Sequence, residues 1–147
     1  ARVADVRGKE QFMELLAKGS ALVMFYSASR CALCTEAVVE LEIAAEQLTG
    51  QVQILTLNCD LPGVEEVCKE QDVTFEETLD VRLFFGAATS IKWAVTDDIA
   101  GHPPGDGELG WSASTLVSFI TDSRMMNVFK MFATISSGGV EGLRSLE

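Results

Sequence analysis

The element order legible in this sequence is that of an α/β domain, a central mixed five-stranded sheet flanked by helices. Three observations predict it. Ala21-Leu22-Val23-Met24-Phe25-Tyr26 is a continuous apolar run, as expected of a strand buried on both faces. From Leu33 to Leu48 the apolar residues recur at three- and four-residue steps, the spacing of an amphipathic helix. Further strand-like and helix-like segments alternate around these two, and the last two strands lie close enough to form a hairpin.

The elements run in order as follows. Arg2 to Val6 reads as a short edge strand. Lys9 to Lys18 places Phe12, Met13, Leu15 and Leu16 near helical spacing, with Gly19 as a stop. After the Ala21–Tyr26 strand, Ser27-Ala28-Ser29-Arg30 is a loop. In the Leu33–Leu48 helix, Leu33, Ala37, Val38, Leu41, Ala44, Ala45 and Leu48 form the apolar stripe. Glu36, Glu40 and Glu46 sit mainly opposite, and Thr49-Gly50 ends it. Gln51 to Asn58 alternates Val52, Ile54, Leu55 and Leu57 with polar residues and reads as a second strand. Pro62-Gly63 turns the chain, and Val64 to Gln71 is a short acidic helix carrying Cys68. Leu79 to Phe85 and Ser90 to Val95 are the hairpin strands. Residues 96–110 are rich in Gly and Pro and read as a long loop inserted in the domain. Ser112 or Ser114 can cap a closing helix from Thr115 to about Ile120, extending as far as Phe132. Residues 1–122 are thus read as the domain. Residues 123–147 are read as a helical extension and a linker-like tail, with Ser136-Ser137-Gly138-Gly139 as the linker.

The chemistry is concentrated in Cys31-Ala32-Leu33-Cys34, where a buried strand hands over to a helix. A helix N-terminus carries unpaired N–H groups and a positive dipole end, which stabilise a thiolate and lower its pKa. Arg30 adds positive charge beside Cys31 and is read as tuning that pKa. Cys31, nearer solvent, is the expected attacking thiol, and Cys34 the resolving one. The other cysteines are Cys59 and Cys68. In an oxidising compartment they would form a structural bridge; in a reducing one they would be ordinary thiols. Their eight intervening residues do not match the tight knuckle of a zinc ribbon. His102 stands among Gly and Pro without a partner and reads as a loop histidine. Trp93 and Trp111 read as packing residues. Met125, Met126, Val128, Phe129, Met131 and Phe132 read as the docked side of a helix, with a partner-binding face as the alternative.

These residues carry a resemblance. Phe25-Tyr26 followed by Cys31-Ala32-Leu33-Cys34 is similar to the Phe-Tyr-Ala-x-Trp-Cys-x-x-Cys of the thioredoxin superfamily, and within it of protein disulfide isomerase domains. Leu57-Asn58-Cys59-Asp60 resembles the Val-Asp-Cys strand end of some isomerase domains, which implies a Cys59–Cys68 disulfide. Arg82-Leu83-Phe84-Phe85-Gly86 resembles the strand before the terminal hairpin. The resemblance spans residues 1–122 and implies a thioredoxin-like fold with thiol–disulfide exchange at Cys31 and Cys34. It departs from the family in the longer loop before Cys31, in Arg30 for Trp, in the Ala-Leu pair, and in Met24 at the place of a buried acid. The stretch Val73 to Asp80 holds no proline, where the family has a cis-proline loop facing the dithiol; Glu76, Glu77 and Thr78 occupy that substrate loop here. Without proline the loop is expected to be trans.

Composition narrows the classes. A net charge of −11 argues against nucleic acid and anionic membrane surfaces as partners. No run of 18 apolar residues marks a membrane span. No signal peptide is visible, and the chain opens on Ala1 rather than Met, as a chain with an upstream segment left out would. The expectation is a thiol–disulfide oxidoreductase of isomerase type in an oxidising secretory compartment, the endoplasmic reticulum lumen. It would act on protein or peptide thiols and disulfides, with no cofactor and no metal, as part of a larger multidomain chain. The alternative is a non-enzymatic thioredoxin-like module that binds clients or partners and keeps a slow or structural dithiol. A third reading, a metal or cluster carrier using Cys31 and Cys34, follows from the missing proline.

Overall fold

A computed structural model describes residues 3–74, 79–86, 89–92 and 109–144, the side chains of 134–144 excepted. The elements are β1 (Val3–Val6), α1 (Lys9–Ala17), β2 (Ala21–Tyr26), a 3-10 turn (Ala28–Arg30), α2 (Cys34–Gln47), β3 (Gln53–Asn58), α3 (Pro62–Glu70), β4 (Asp80–Phe84), β5 (Ser90–Lys92) and α4 (Ala113–Arg144). The strands form one five-stranded mixed sheet in the order β1-β3-β2-β4-β5. β1 and β2 pair parallel with β3, while β4 pairs antiparallel with β2 and β5 antiparallel with β4. This is the element order and sheet class that the sequence predicts.

The apolar run of β2 is explained by its place. It lies between β3 and β4, and its first five residues are buried. Alternation along the strands then sorts the core into two faces. Val23, Phe25, Leu55 and Leu57 join Phe12 and Leu16 of α1 and Val64, Val67 and Cys68 of α3 in one cluster. Within it Phe12 meets Phe25 and Phe84 edge-on, with ring centroids 6.4 and 5.7 Å apart. Leu22, Met24 and Ile54 point to the other face, and α2 buries Ala37, Leu41, Ala44 and Ala45. β3 is buried on both faces, because α3 packs on the face of Leu55 and Leu57 and α2 also contacts the strand; its one buried hydroxyl, on Thr56, donates to Asp5 Oδ1 at 3.0 Å.

Some boundaries differ from the sequence reading for local reasons. α3 begins at Pro62, two residues before the expected start, because proline at the first helical position has its φ preset and needs no N–H partner. Gly63 follows since a Cβ there would lie 2.7 Å from the Arg7 carbonyl oxygen. α3 ends in a Schellman turn: Val73 N–H reaches Cys68 O and Asp72 N–H reaches Lys69 O, with Asp72 at φ 53°. Ser112 starts α4, its N–H donating to Thr115 Oγ1 at 2.9 Å while Thr115 N–H faces Ser112 Oγ at 3.5 Å.

The chain divides into two compact units, Ala1–Val117 and Ser118–Glu147. The first holds the sheet, α1 to α3 and the start of α4. The second holds the rest of α4, which runs through Ser136-Ser137-Gly138-Gly139, so this segment is helical and not the linker its composition suggests. Met125, Val128, Phe129 and Phe132 do share one face of α4, but they are exposed, Phe129 at 65%, rather than docked. Among the described residues the second unit is a single helix. Among the described residues no helix is long and apolar enough to cross a membrane.

Candidate active site

The parallel pairing of β2 with β3 brings the C-terminal ends of both strands together, Tyr26 opposite Asn58. From Tyr26 the chain makes the 3-10 turn Ala28–Arg30, passes Cys31 in extended conformation (φ −107°, ψ 96°) and enters α2 at Cys34. Cys31 and Cys34 are joined as a disulfide, with Cα atoms 5.5 Å apart. Both are half-buried, so exposure does not single out Cys31 as the sequence reading expects. Position does distinguish them. Cys34 is the first residue of α2, whose preceding residue Leu33 provides no side-chain cap. The N–H groups of the first turn are therefore not capped by Leu33, and they favour negative charge on a sulfur placed there.

The turn before Cys31 is held by β3. Ser27 Oγ donates to Asp60 Oδ1 at 2.7 Å and Ser29 N–H to Asp60 Oδ2 at 2.9 Å. Ala28 N–H donates to Asn58 Oδ1 at 3.3 Å, and Cys59 N–H to Tyr26 O at 2.8 Å. The Ser29 N–H, then the Ser27 hydroxyl, hold the Asp60 carboxyl below the usual carboxylate range, and the Arg30 charge adds to them. Burial, followed by the Asp5 charge, raises the neighbouring Tyr26 phenol above its ordinary value.

Cys59, between Asn58 and Asp60, is bridged to Cys68 of α3 with Cα atoms 6.0 Å apart, and both cysteines are buried. Met24 is fully buried, with Thr56 of β3 as its cross-strand neighbour. A groove of about 330 Å³ beside α2 is lined by Glu36, Val39, Glu40, Leu109 and Trp111. Among the described residues no group of three or more His, Cys, Asp or Glu is placed to hold a metal. Glu76, Glu77 and Thr78, as well as Trp93 and His102, lie outside the described residues.

The sequence reading missed the Asp60 clasp and a buried pair, Asp80 with Arg82. Both had a faint signal. Two serines flank Ala28 in the loop, and Asp80 and Arg82 alternate on a strand that is otherwise apolar.

No protein-family profile and no curated protein matches this chain. Solved structures do. The Trx4 domain of ERdj5 superposes with a TM-score of 0.60 at 17% identity, over 83% of this chain and 95% of that one. The J-Trx1 fragment of ERdj5 gives 0.59 at 18% identity over 83% of this chain, which spans only 51% of that fragment. Chloroplastic thioredoxin z gives 0.60 at 15% identity, over 83% and 94%. The fold is thioredoxin-like, and its Cys31 and Cys34 stand at disulfide distance at the start of α2.

Proposed function

We propose that this chain is a thiol–disulfide oxidoreductase of the protein disulfide isomerase type. The observation that carries this reading is the Cys31–Cys34 bridge at the start of α2. In the oxidised form, a substrate thiolate attacks Cys31 Sγ, the Cys31–Cys34 bond breaks, and Cys34 leaves as a thiolate at the helix N-terminus. A second substrate thiolate then attacks the substrate sulfur of the mixed disulfide. A substrate disulfide forms and Cys31 is released as a thiolate. In the reduced form the steps run in reverse: Cys31 thiolate attacks a substrate disulfide, and Cys34 thiolate closes the bridge and expels the second substrate thiolate. The helix end assists both directions, since it stabilises the thiolate that leaves or attacks.

The partners are protein or peptide thiols and disulfides, and the chemistry calls for no cofactor. Glu76, Glu77 and Thr78 are proposed as the loop that meets the substrate, and Arg30 as a charge that tunes the dithiol. The buried Cys59–Cys68 bridge supports an oxidising compartment, for which the endoplasmic reticulum lumen is proposed. Membership of a multidomain chain is supported by the match to full-length ERdj5, of which this chain spans 15%.

The direct test is insulin reduction by the full chain, together with the Cys31/Cys34 equilibrium in glutathione buffers. Turnover above the uncatalysed rate is expected. A dithiol that neither reduces insulin nor equilibrates with glutathione would favour the second reading, a client-binding module. That reading is supported by Met24 itself, a buried thioether that cannot accept the Cys34 proton as an acid at its position would.

A further inference from the structure

Resting on the exchange reading above, we infer that Asp60 is a positioning residue for the Cys31–Cys34 pair. Its carboxylate holds the turn that presents Cys31 and ties that turn to the Cys59–Cys68 bridge. Three features support this. Both carboxylate oxygens are used, and on two kinds of donor. Oδ1 takes the hydroxyl of buried Ser27, and Oδ2 takes the Ser29 backbone N–H, two residues before Cys31. Among the described residues the turn is otherwise held by three contacts: Arg30 N–H to Ser27 O at 2.9 Å, the Ser27 and Ser29 hydroxyls at 3.2 Å from each other, and Asn58 Oδ1, which accepts from Ala28 N–H and also receives the Asp60 N–H at 3.1 Å. Finally, the anchor is itself fixed. Asn58 closes β3, Asp60 follows directly on Cys59, and Cys59 is joined covalently to α3 through Cys68. The route from one disulfide to the other is thus Cys68, Cys59, Asp60, Ser29, Arg30, Cys31.

The same carboxylate carries charge into the site. Asp60, two residues past the end of β3, feels the Arg30 charge, so the two charges offset each other beside Cys31. Among the described residues, the other charged or titratable groups at these strand ends are Tyr26 on β2 and the pair of Asp5 in β1 with Arg7 just after it, Arg7 Nε lying 3.2 Å from Asp5 Oδ2. Asp60 therefore brings two separable features to the turn: its acceptor atoms, which hold Ser27 and Ser29, and its negative charge, which would disfavour a thiolate at Cys31.

Asparagine and alanine separate these effects. Asp60→Asn removes the charge and keeps one acceptor oxygen, whereas Asp60→Ala removes both acceptors. The full chain and both variants are equilibrated with glutathione, where protein disulfide plus two glutathione thiols gives protein dithiol plus glutathione disulfide. The constant for closing Cys31–Cys34 is expected to fall about tenfold in Asp60→Ala and no more than about threefold in Asp60→Asn, on the scale of a lost charge-assisted hydrogen bond. Alkylation of Cys31 against pH, in a Cys34→Ser background, should give a lower apparent pKa for both variants than for the parent. Should Asp60→Ala not fold, Ser27→Ala removes the Oδ1 donor together with its contact to the Ser29 hydroxyl, keeps the Ser29 N–H bond to Oδ2, and should lower the closing constant in the same direction. Equal closing constants in parent and variants would overturn the positioning role while leaving the exchange reading intact. A parent protein that does not equilibrate with glutathione at all would overturn the exchange reading, and this proposal with it.

Discussion

Arg82 and Asp80, two residues apart on β4, close on each other twice: Nε donates to Oδ1 at 2.9 Å and Nη2 to Oδ2 at 3.0 Å. Alternation puts them on one face of the strand, opposite Val23 and Phe25 of β2. The guanidinium carbon stands 5.6 Å from the centre of the Phe25 ring, and Nη1 donates to Gln71 O at the end of α3. The side chains of Asp80 and Arg82 are 2% and 12% exposed, and Lys92 Nζ lies 3.7 Å from Asp80 Oδ2.

A buried pair of this kind is costly to break and cheap to replace. Asp80→Ala should destabilise by about 3–5 kcal/mol, because it leaves Arg82 buried with its charge uncompensated. Replacing both, with Asp80→Leu and Arg82→Met, should cost less than Asp80→Ala alone. Urea denaturation of the three proteins checks this, and a double variant no more stable than the single one would refute it.

Two glycine-to-alanine changes should diverge. At Gly63 a Cβ meets the Arg7 carbonyl at 2.7 Å, so α3 must shift away from the segment after β1. The cost should be about 1–3 kcal/mol, partly offset by the better helix propensity of alanine. At Gly86 a Cβ meets nothing within 4 Å and φ is not positive, so the change should be near neutral. Melting temperatures measured side by side test the contrast.

The legibility of this protein in its sequence follows the range of the interactions. β2 is found at Ala21–Tyr26 because a strand covered on both faces needs an unbroken apolar run, which is a local signal. α2 is found for the same reason, since its stripe repeats within the segment. The position of Cys31-Ala32-Leu33-Cys34 between the two is then legible as well. The Asp60 clasp is not, because Ser27 and Ser29 meet Asp60 only through the β2–β3 register. Asp80 and Arg82 are local, but their burial depends on β4 lying against β2 and on the end of α3, and neither is written in their own segment. Ser136-Ser137-Gly138-Gly139 reads as linker by composition, and a long helix running through it overrides that weak preference.

Asp60 should also leave a signature in the pH dependence of stability. Its folded pKa is lowered, first by the Ser29 N–H and then by the Ser27 hydroxyl. A lowered carboxyl pKa contributes stability that is present above the unfolded value of about 3.9 and is lost as pH falls through the folded value. The stability difference between the parent and Asp60→Asn should therefore be constant from neutral pH down to about pH 5 and shrink below about pH 4. Urea midpoints at a series of pH values measure it. A difference that grows on acidification would show the sign to be wrong.

The Cys59–Cys68 bridge closes a short loop, with a sequence separation of 9. The chain-entropy relation gives a loss of about 2.5 kcal/mol when such a cross-link is removed. Cys59→Ala combined with Cys68→Ala should show that loss in urea. The double change, rather than either single one, avoids leaving a free thiol that could exchange with Cys31 or Cys34. If the bridge is structural, the double variant should still equilibrate Cys31 and Cys34 with glutathione.

The two cysteines of the pair should fail differently when replaced. Cys31 is reached from the 3-10 turn, three residues before α2, whereas Cys34 is the first residue of the helix and is followed by buried Ala37. In the exchange reading Cys31 bonds to the substrate and Cys34 releases it. Cys31→Ser should therefore abolish exchange and form no stable adduct. Cys34→Ser should keep a reactive thiol at Cys31, with an apparent pKa below the free-thiol value of about 8.5, and should accumulate mixed disulfides with a thiol-bearing peptide. Mass spectrometry under non-reducing conditions counts the adducts, and alkylation against pH measures the pKa. Adducts at Cys34 in Cys31→Ser, with none at Cys31 in Cys34→Ser, would invert the roles and make the helix-start cysteine the nucleophile. Adducts in neither variant would leave the Cys31–Cys34 bridge a structural one and favour the binding module.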